Sequence, residues 1–296
     1  MTANTPAAEI EIDETLVRRL LESQMPELAE RPIRAIDHGW DNAMFRLGED
    51  LSVRLPRREV AANLVRNEQA ALPSIAPALQ IAIPSPLHVG EPSPEYPWAW
   101  SVLPWFDGQT ADLTPPAEDQ AEVFADFLQA LHRVPNPQNA PLSDVRGVPL
   151  VERQTVIEER LDRLRSATDR ITPTIDAVWR DALAEPPTSM DVWLHGDLHT
   201  RNILVEDERL SAIIDWGDVT SGDAACDLAG IWMLFESTEA RAVAAARYGM
   251  DDSLRARSLG SAVGFAAVLL DTGLTDDPRH AAIGDATFRR IETDAR

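Results

Sequence analysis

Apolar positions recur along the chain in two periods. In "DETLVRRLLESQ", Leu16, Val17, Leu20 and Leu21 fall on one helical face, and Asp13 stands where an N-cap is needed. Between Ile33 and Leu55 the pattern shortens to strand-like runs. "AMFRL" and "LSVRL" flank the turn Gly48-Glu49-Asp50, which predicts a hairpin. "RREVAANLVRNEQAAL" returns to the helical period, with Val60, Leu64 and Leu72 on a stripe at steps of four and Glu68 on that same stripe. A carboxylate on an apolar face costs free energy unless a cation meets it. The bland alternative is a solvated glutamate at the stripe's edge.

"LQIAIPSPLHVG" and "YPWAWSVLPWF" predict two further strands, and "DGQTADLTPP" reads as a linker. Beyond it the text is mostly helical. "EVFADFLQALHRV" places Phe124, Phe127, Leu128 and Leu131 on one face, and "LVERQTVIEERLDRLR" and "TIDAVWRDALAE" follow. "WLHGDLHTRNILV" and "AIID" then form a strand pair around a polar middle, and helices resume through "DLAGIWMLF", "EARAVAAARYG", "SLRARSLGSAVGFAAVLLDTG" and "RHAAIGDATFRR". The expectation is an α+β molecule with a small β-rich lobe over residues 1–106 and a larger helical lobe over 107–296, preceded by a disordered lead of about 12 residues.

Length and charge narrow the classes. A chain of 296 residues with 44% apolar content has ample core for two lobes. No run is long and apolar enough to span a bilayer, and "MTANTPAAEIEIDE" lacks the basic start and apolar run of a secretory signal. The net charge of −22 repels phosphate backbones, which argues against nucleic acid and anionic membranes and would favour cationic small molecules; general solubility explains it equally well. Cys226 is the single cysteine, consistent with a reducing cytoplasm and with a small buried filler more than with a nucleophile.

The polar middle between the paired strands carries His195, Asp197, His199, Arg201 and Asn202, and Asp215 ends the next strand. On an extended backbone His195, Asp197 and His199 would point one way, as in a metal-dependent hydrolase. The other four histidines are scattered, which weakens that reading. A second reading uses more of the segment. Asp197 orients or deprotonates a hydroxyl, and Asn202 and Asp215 give oxygen ligands to a hard cation such as Mg²⁺. His195 then holds the loop's shape through backbone hydrogen bonds. Those are the parts phosphoryl transfer requires.

"HGDLHTRNILV", "IIDWGD" and "GDAACDLA" together resemble the aminoglycoside phosphotransferase family, which shares the protein-kinase-like fold. The resemblance implies a bilobal small-molecule O-phosphotransferase using Mg²⁺ and ATP, with GTP open as donor. It assigns Asp197 as the catalytic aspartate, Asn202 and Asp215 as metal ligands, and Asp227 as a brace under the loop. Asp218 and Asp223 fall in motif positions, with turn and cap roles as the alternative. It also accounts for Glu68, which would pair with a phosphate-gripping cation on the third strand. That cation is Arg54, where many relatives carry Lys, and Arg46 is the weaker candidate. "HGWDNAMFRL", with Gly39, Asp41 and Asn42, would cover the phosphates. "SVLPWFDG" would form the hinge, with Leu103 as gatekeeper, Pro104 offering a carbonyl and Phe106 an N–H.

The acceptor should sit between the loop and the last helices. Asp197, Asp218, Asp271, Asp276 and Asp277 could line a cleft for a polycationic aminoglycoside. "GFAAVLL" and "DLAGIWMLF" could instead make a greasier pocket for a macrolide, or serve only as core. A kinase of another small alcohol and a non-catalytic nucleotide-binding module are the remaining alternatives.

Overall fold

The computed structural model describes residues 7–38, 41–135, 140–188 and 191–295. Helix α1 (Glu14–Gln24) begins where Asp13 accepts the Leu16 N–H at 2.7 Å, and it buries the four residues of the predicted face. Of the lead expected to be disordered, residues 1–6 lie outside the described residues. The remainder is tied down: Ile10 and Ile12 pack on the small-lobe core, and Glu9 N–H donates to the Arg57 carbonyl at 3.0 Å.

Strands β1 (Ile33–His38), β2 (Asn42–Leu47) and β3 (Leu51–Pro56) form an antiparallel meander with the 48–50 turn at its second bend. Helix α2 (Glu59–Ile75) follows. Its buried face runs through Ala61, Val65, Glu68, Leu72 and Ile75: Glu68 and Leu72 of the predicted stripe are buried, Leu64 is half-buried and Val60 is exposed. The helix continues through Pro73, because Leu72 and Ile75 are both buried. Strands β4 (His88–Gly90) and β5 (Trp100–Pro104) complete a five-stranded sheet of order β1-β2-β3-β5-β4. "LQIAIP" forms no strand of its own. It makes a single parallel bridge, Ala82 to Ala212, that stitches this region to the larger lobe.

The predicted linker is partly structured: Gln109 and Thr110 form β6, paired with β8 (Ile203–Glu206), which in turn pairs with β9 (Arg209–Ile213). The larger lobe otherwise comprises α3 (Gln120–Arg133), α4 (Leu150–Ala167), α5 (Pro173–Ala184), the short antiparallel pair β7 (Val192–Leu194) and β10 (Thr220–Gly222), α6 (Ala225–Leu228), α7 (Gly230–Leu234), α8 (Thr238–Tyr248), α9 (Asp252–Gly273) and α10 (Pro278–Asp294).

Two hydrophobic clusters match the two lobes. The smaller gathers Leu16, Phe45, Val53 and Trp100; the larger centres on Phe124, Phe127, Trp193, Trp216 and Trp232. Helix α2 spans both, giving Ala62 to the first and Ala71, Leu72 and Ile75 to the second. Glu68 therefore lies on the element that joins the lobes. Burying the aliphatic and aromatic side chains of these two clusters supplies the main driving force for folding.

Candidate active site

Three buried elements deliver the polar residues to one place. After β7 the chain enters the loop 195–202, where Gly196 adopts φ +86. A Cβ there would sit 2.4 Å from the Asp218 carbonyl oxygen, so glycine is required both by conformation and by space. This left-handed residue breaks the alternation on which the three-ligand reading depended. His195 turns inward instead: its Nε2 lies 2.9 Å from the Ile214 carbonyl oxygen, and its Nδ1 accepts the Asp197 N–H at 3.2 Å. With both ring nitrogens engaged by backbone, His195 shapes the loop and is not available as a metal ligand.

Asp227, fully buried at the start of the helical run α6–α7, braces the loop from below. Its two oxygens accept the N–H groups of His195 at 2.7 Å and Gly196 at 2.9 Å. Asp227→Asn supplies one acceptor where two donors converge and turns an NH₂ against the other. We expect a loss of about 2–4 kcal/mol of stability, seen as a lower urea midpoint with unchanged slope. A shift worth less than about 0.5 kcal/mol, the scatter of ordinary surface substitutions, would contradict the bracing role.

Asp197 is about a quarter exposed, and Arg146 clamps it: Nη2 approaches Asp197 Oδ1 at 2.7 Å and Asp218 Oδ2 at 2.9 Å. His199 Nε2 lies 3.4 Å from the other Asp197 oxygen. Burial alone would raise this carboxyl, but Arg146 and His199 together hold it well below the usual range. Asp218 thus shares the catalytic loop's counter-ion. Asp223 has the cap role: its Oδ1 accepts the Ala225 N–H at 3.0 Å, and its Oδ2 takes Arg257 at 2.7 Å. Arg146 was not anticipated. It comes from the loop "PLSDVRGVPL", which has no periodicity or motif to mark it.

Asn202 closes a single 3₁₀ turn after the loop, and its Nδ2 donates to the Asp197 carbonyl at 2.9 Å, leaving the amide oxygen as the group able to meet a cation. The Ile214 N–H donates to the Asn202 carbonyl at 2.8 Å, which ties this turn to the residue before Asp215. Asp215 itself has φ +59, a conformation that costs a non-glycine residue about 1–2 kcal/mol. Its side chain is 60% exposed. One anchored amide oxygen and one largely exposed carboxylate fit Mg²⁺, which is held by few protein oxygens together with phosphates and water.

Across the cleft, β3 presents Arg54. Nη1 donates to both Glu68 oxygens, at 2.6 and 2.8 Å, and Nη2 lies 3.2 Å from Asp215 Oδ1. In the orientation that satisfies its neighbours, the Asn42 amide oxygen accepts from Arg54 Nε at 3.1 Å and Nη2 at 2.8 Å. The planar fork therefore reaches three groups from three separate nitrogens, a spread that the single nitrogen of a lysine does not have. Burial pushes the Glu68 carboxyl up, with Arg54 pulling the other way. Arg46 is occupied elsewhere, over the Trp105 ring at 4.0 Å with Nε donating to the Gly48 carbonyl at 3.2 Å.

The turn expected to cover the phosphates is described only in part. Gly39 lies outside the described residues, the Asp41 carboxylate takes Arg58 Nη2 at 2.6 Å, and Asn42 serves Arg54 through its side chain. At the hinge, Leu103 is buried, and Trp105 N–H is taken by the Asp50 carbonyl at 2.9 Å. Cys226 is buried, and burial pushes its thiol up to about 12, so it is a filler and not a nucleophile.

The acidic residues expected to line a cationic cleft are largely matched. Asp271 takes Arg160 at 2.7 Å and Arg163 at 2.6 Å, and Asp277 takes Arg201 at 2.5 Å.

Among known proteins, the aminoglycoside 3'-phosphotransferase of Salmonella typhimurium is 29% identical over 141 residues, which is 45% of this chain and 52% of that protein. The chain thus spans about half the length of the curated relatives it matches. Solved structures cover far more of the fold. The GDP and kanamycin complex of an aminoglycoside 2"-phosphotransferase superposes with TM-score 0.64 at 16% identity, over 94% of this chain and 97% of that one. Macrolide 2'-phosphotransferase type I superposes with TM-score 0.64 at 21% identity, over 94% and 97%. These likenesses establish the bilobal, kinase-like architecture. A family model described as "Phosphotransferase enzyme family" matches residues 32–259, and the chain belongs to that family.

Proposed function

We propose that this chain is a small-molecule O-phosphotransferase, moving the γ-phosphoryl group of ATP or GTP to a hydroxyl of an antibiotic-like acceptor. The observation that carries the reading is the meeting of Asp197, Asn202 and Asp215 around one loop and hairpin, with the buried Arg54–Glu68 pair reaching Asp215 from the other lobe. A Mg²⁺ ion held by the Asn202 and Asp215 oxygens would neutralise charge on the phosphates. The chain's own residues do the rest. Arg54 steers the α- and β-phosphates; its longer Nη2–Asp215 contact is the one a phosphate oxygen would replace. Asp197 accepts a hydrogen bond from the acceptor hydroxyl and aims it at the γ-phosphorus. As the new O–P bond forms, the bond from the γ-phosphorus to the bridging oxygen breaks, and the nucleoside diphosphate leaves with that electron pair. The hydroxyl proton passes to Asp197. A carboxylate held this far below its usual range is a weak base, so positioning is its main contribution, and the proton moves late.

The test is incubation with Mg-ATP or Mg-GTP and pooled aminoglycosides, macrolides and simple amino-alcohols, read by mass spectrometry for a phosphate adduct. An adduct that disappears in Asp197→Asn supports the proposal. If Mg-ATP raises the melting temperature but no acceptor gains phosphate, a nucleotide-binding module is the better description.

A further inference from the structure

A second concave feature adjoins the loop. Helix α4 turns Leu150, Arg153 and Ile157 toward α9, which answers with Gly264, Phe265 and Val268 at helical spacing. Trp179 of α5 and the 145–148 segment close the other sides, around a cavity of about 70 Å³. Arg146 belongs to both places. It lines this cavity, its guanidinium lies 5.1 Å from the Phe265 ring centroid, and its Nη2 is 2.7 Å from Asp197. A molecule seated here therefore lies one side chain away from the catalytic aspartate.

The charges in the lining do not balance. Arg146 is matched by Asp197 and Asp218, and Asp223 by Arg257. The Cys226 thiol is neutral. Arg153 remains: among the described residues it makes no hydrogen bond or ion pair. Burial, then the nearby Arg146 and Arg160, disfavour its charge, yet an arginine stays protonated, so a half-buried cation on this wall has no protein anion among the described residues. Trp179 points to the same need. It is 4% exposed, and its indole N–H has no acceptor among the described residues. Two donors without acceptors, in a wall that also carries Leu150, Phe265 and Val268, call for a ligand that accepts hydrogen bonds, carries negative charge and has an apolar body. An ammonium could satisfy neither.

We infer that this cavity is the acceptor subsite and that it selects alcohols whose apolar or aromatic body bears an oxyanion, with Arg153 as the specificity-determining residue. The chemistry rests on the phosphotransferase reading, whereas the binding preference can be measured without it.

Suitable probes share a phenyl ring and a benzylic hydroxyl: mandelate, its phosphonate analogue, methyl mandelate and phenylethanolamine, with kanamycin as a polycation. Each is titrated calorimetrically into the wild-type chain, Arg153→Gln, Arg153→Lys and Gly264→Leu. Mandelate or the phosphonate should bind about 10-fold or more tightly than the ester and the amine, and the ratio of the two anions identifies the favoured oxyanion. Arg153→Gln should erase the preference, and Arg153→Lys should keep part of it. Gly264→Leu should block binding, because a Cβ at Gly264 meets only Ile157, at 3.7 Å, and the longer side chain enters the cavity. The inference is overturned if kanamycin or phenylethanolamine binds as tightly as mandelate, if Arg153→Gln leaves mandelate binding unchanged, or if no probe binds. Transfer from Mg-ATP or Mg-GTP is read separately by mass spectrometry. Binding without transfer to any bound probe would count against the phosphotransferase reading and leave the cavity's preference standing.

Discussion

Asp215→Ala is expected to lower kcat at least about 10³-fold, the equivalent of about 4 kcal/mol of lost charge stabilisation at the transferring phosphoryl group, while the fold survives. The side chain is more exposed than buried, and among the described residues its side-chain hydrogen bond is the 3.2 Å contact with Arg54. Arg54 keeps Glu68 and Asn42 when that contact is removed. The backbone at this position makes the prediction sharper. At φ +59 an aspartate is strained, and strain of this kind persists where function needs it. Asp215→Gly relieves the strain, so it should match or exceed the wild-type melting temperature, by up to about 1 kcal/mol of stability, while losing the same turnover. Activity and stability then move in opposite directions from one substitution. A well-folded Asp215→Ala protein with full kcat would remove the basis of the assignment.

How far the sequence could lead depended on how local each signal was. Asp197, Asn202 and Asp215 fall within one stretch, and the roles proposed for them come from the resemblance that this stretch carries to a known family. Glu68 was detectable because burying a carboxylate has a cost that demands a partner, and only tertiary structure shows how many groups the partner holds. Arg146 gave no such sign. It is 51 positions from Asp197, in an irregular loop, and its role arises from a contact between segments that share no period. The same limit explains the acidic residues. Asp271 and Asp277 look like a cation-binding rim as text, but each is matched by arginines from α4 or the catalytic loop, so the net charge of −22 says little about this cleft. Helical periodicity located α2 and the buried positions of Glu68 and Leu72, but it misplaced the first turns of the face, where Ala61 and Val65 pack inward and Val60 does not. The predicted linker hid β6 because two residues are too few to carry an alternation.

Asp197→Asn should lower kcat by about 10²–10⁴-fold with little change in nucleotide binding, measured by steady-state kinetics beside a melting curve. The amide keeps the size of the carboxylate and can still meet Arg146, which retains Asp218, so the fold has little to lose. What disappears is the acceptor for the hydroxyl proton and the charge that aims the hydroxyl. The pH profile separates this role from a merely structural one. With Arg146 in place the carboxyl is held well below its usual range, so wild-type kcat should show no acid limb from this group between about pH 5 and 7. Any stability the pair contributes is present above the ordinary carboxylate value and is lost only as pH falls through the depressed one. In Arg146→Gln the largest charge opposing burial is gone and His199 is left to offset it, so the carboxyl rises and an acid limb should move toward the accessible range. If Arg146→Gln shows the wild-type profile, or Asp197→Asn retains more than about a tenth of the wild-type kcat, Asp197 is not the group that readies the acceptor.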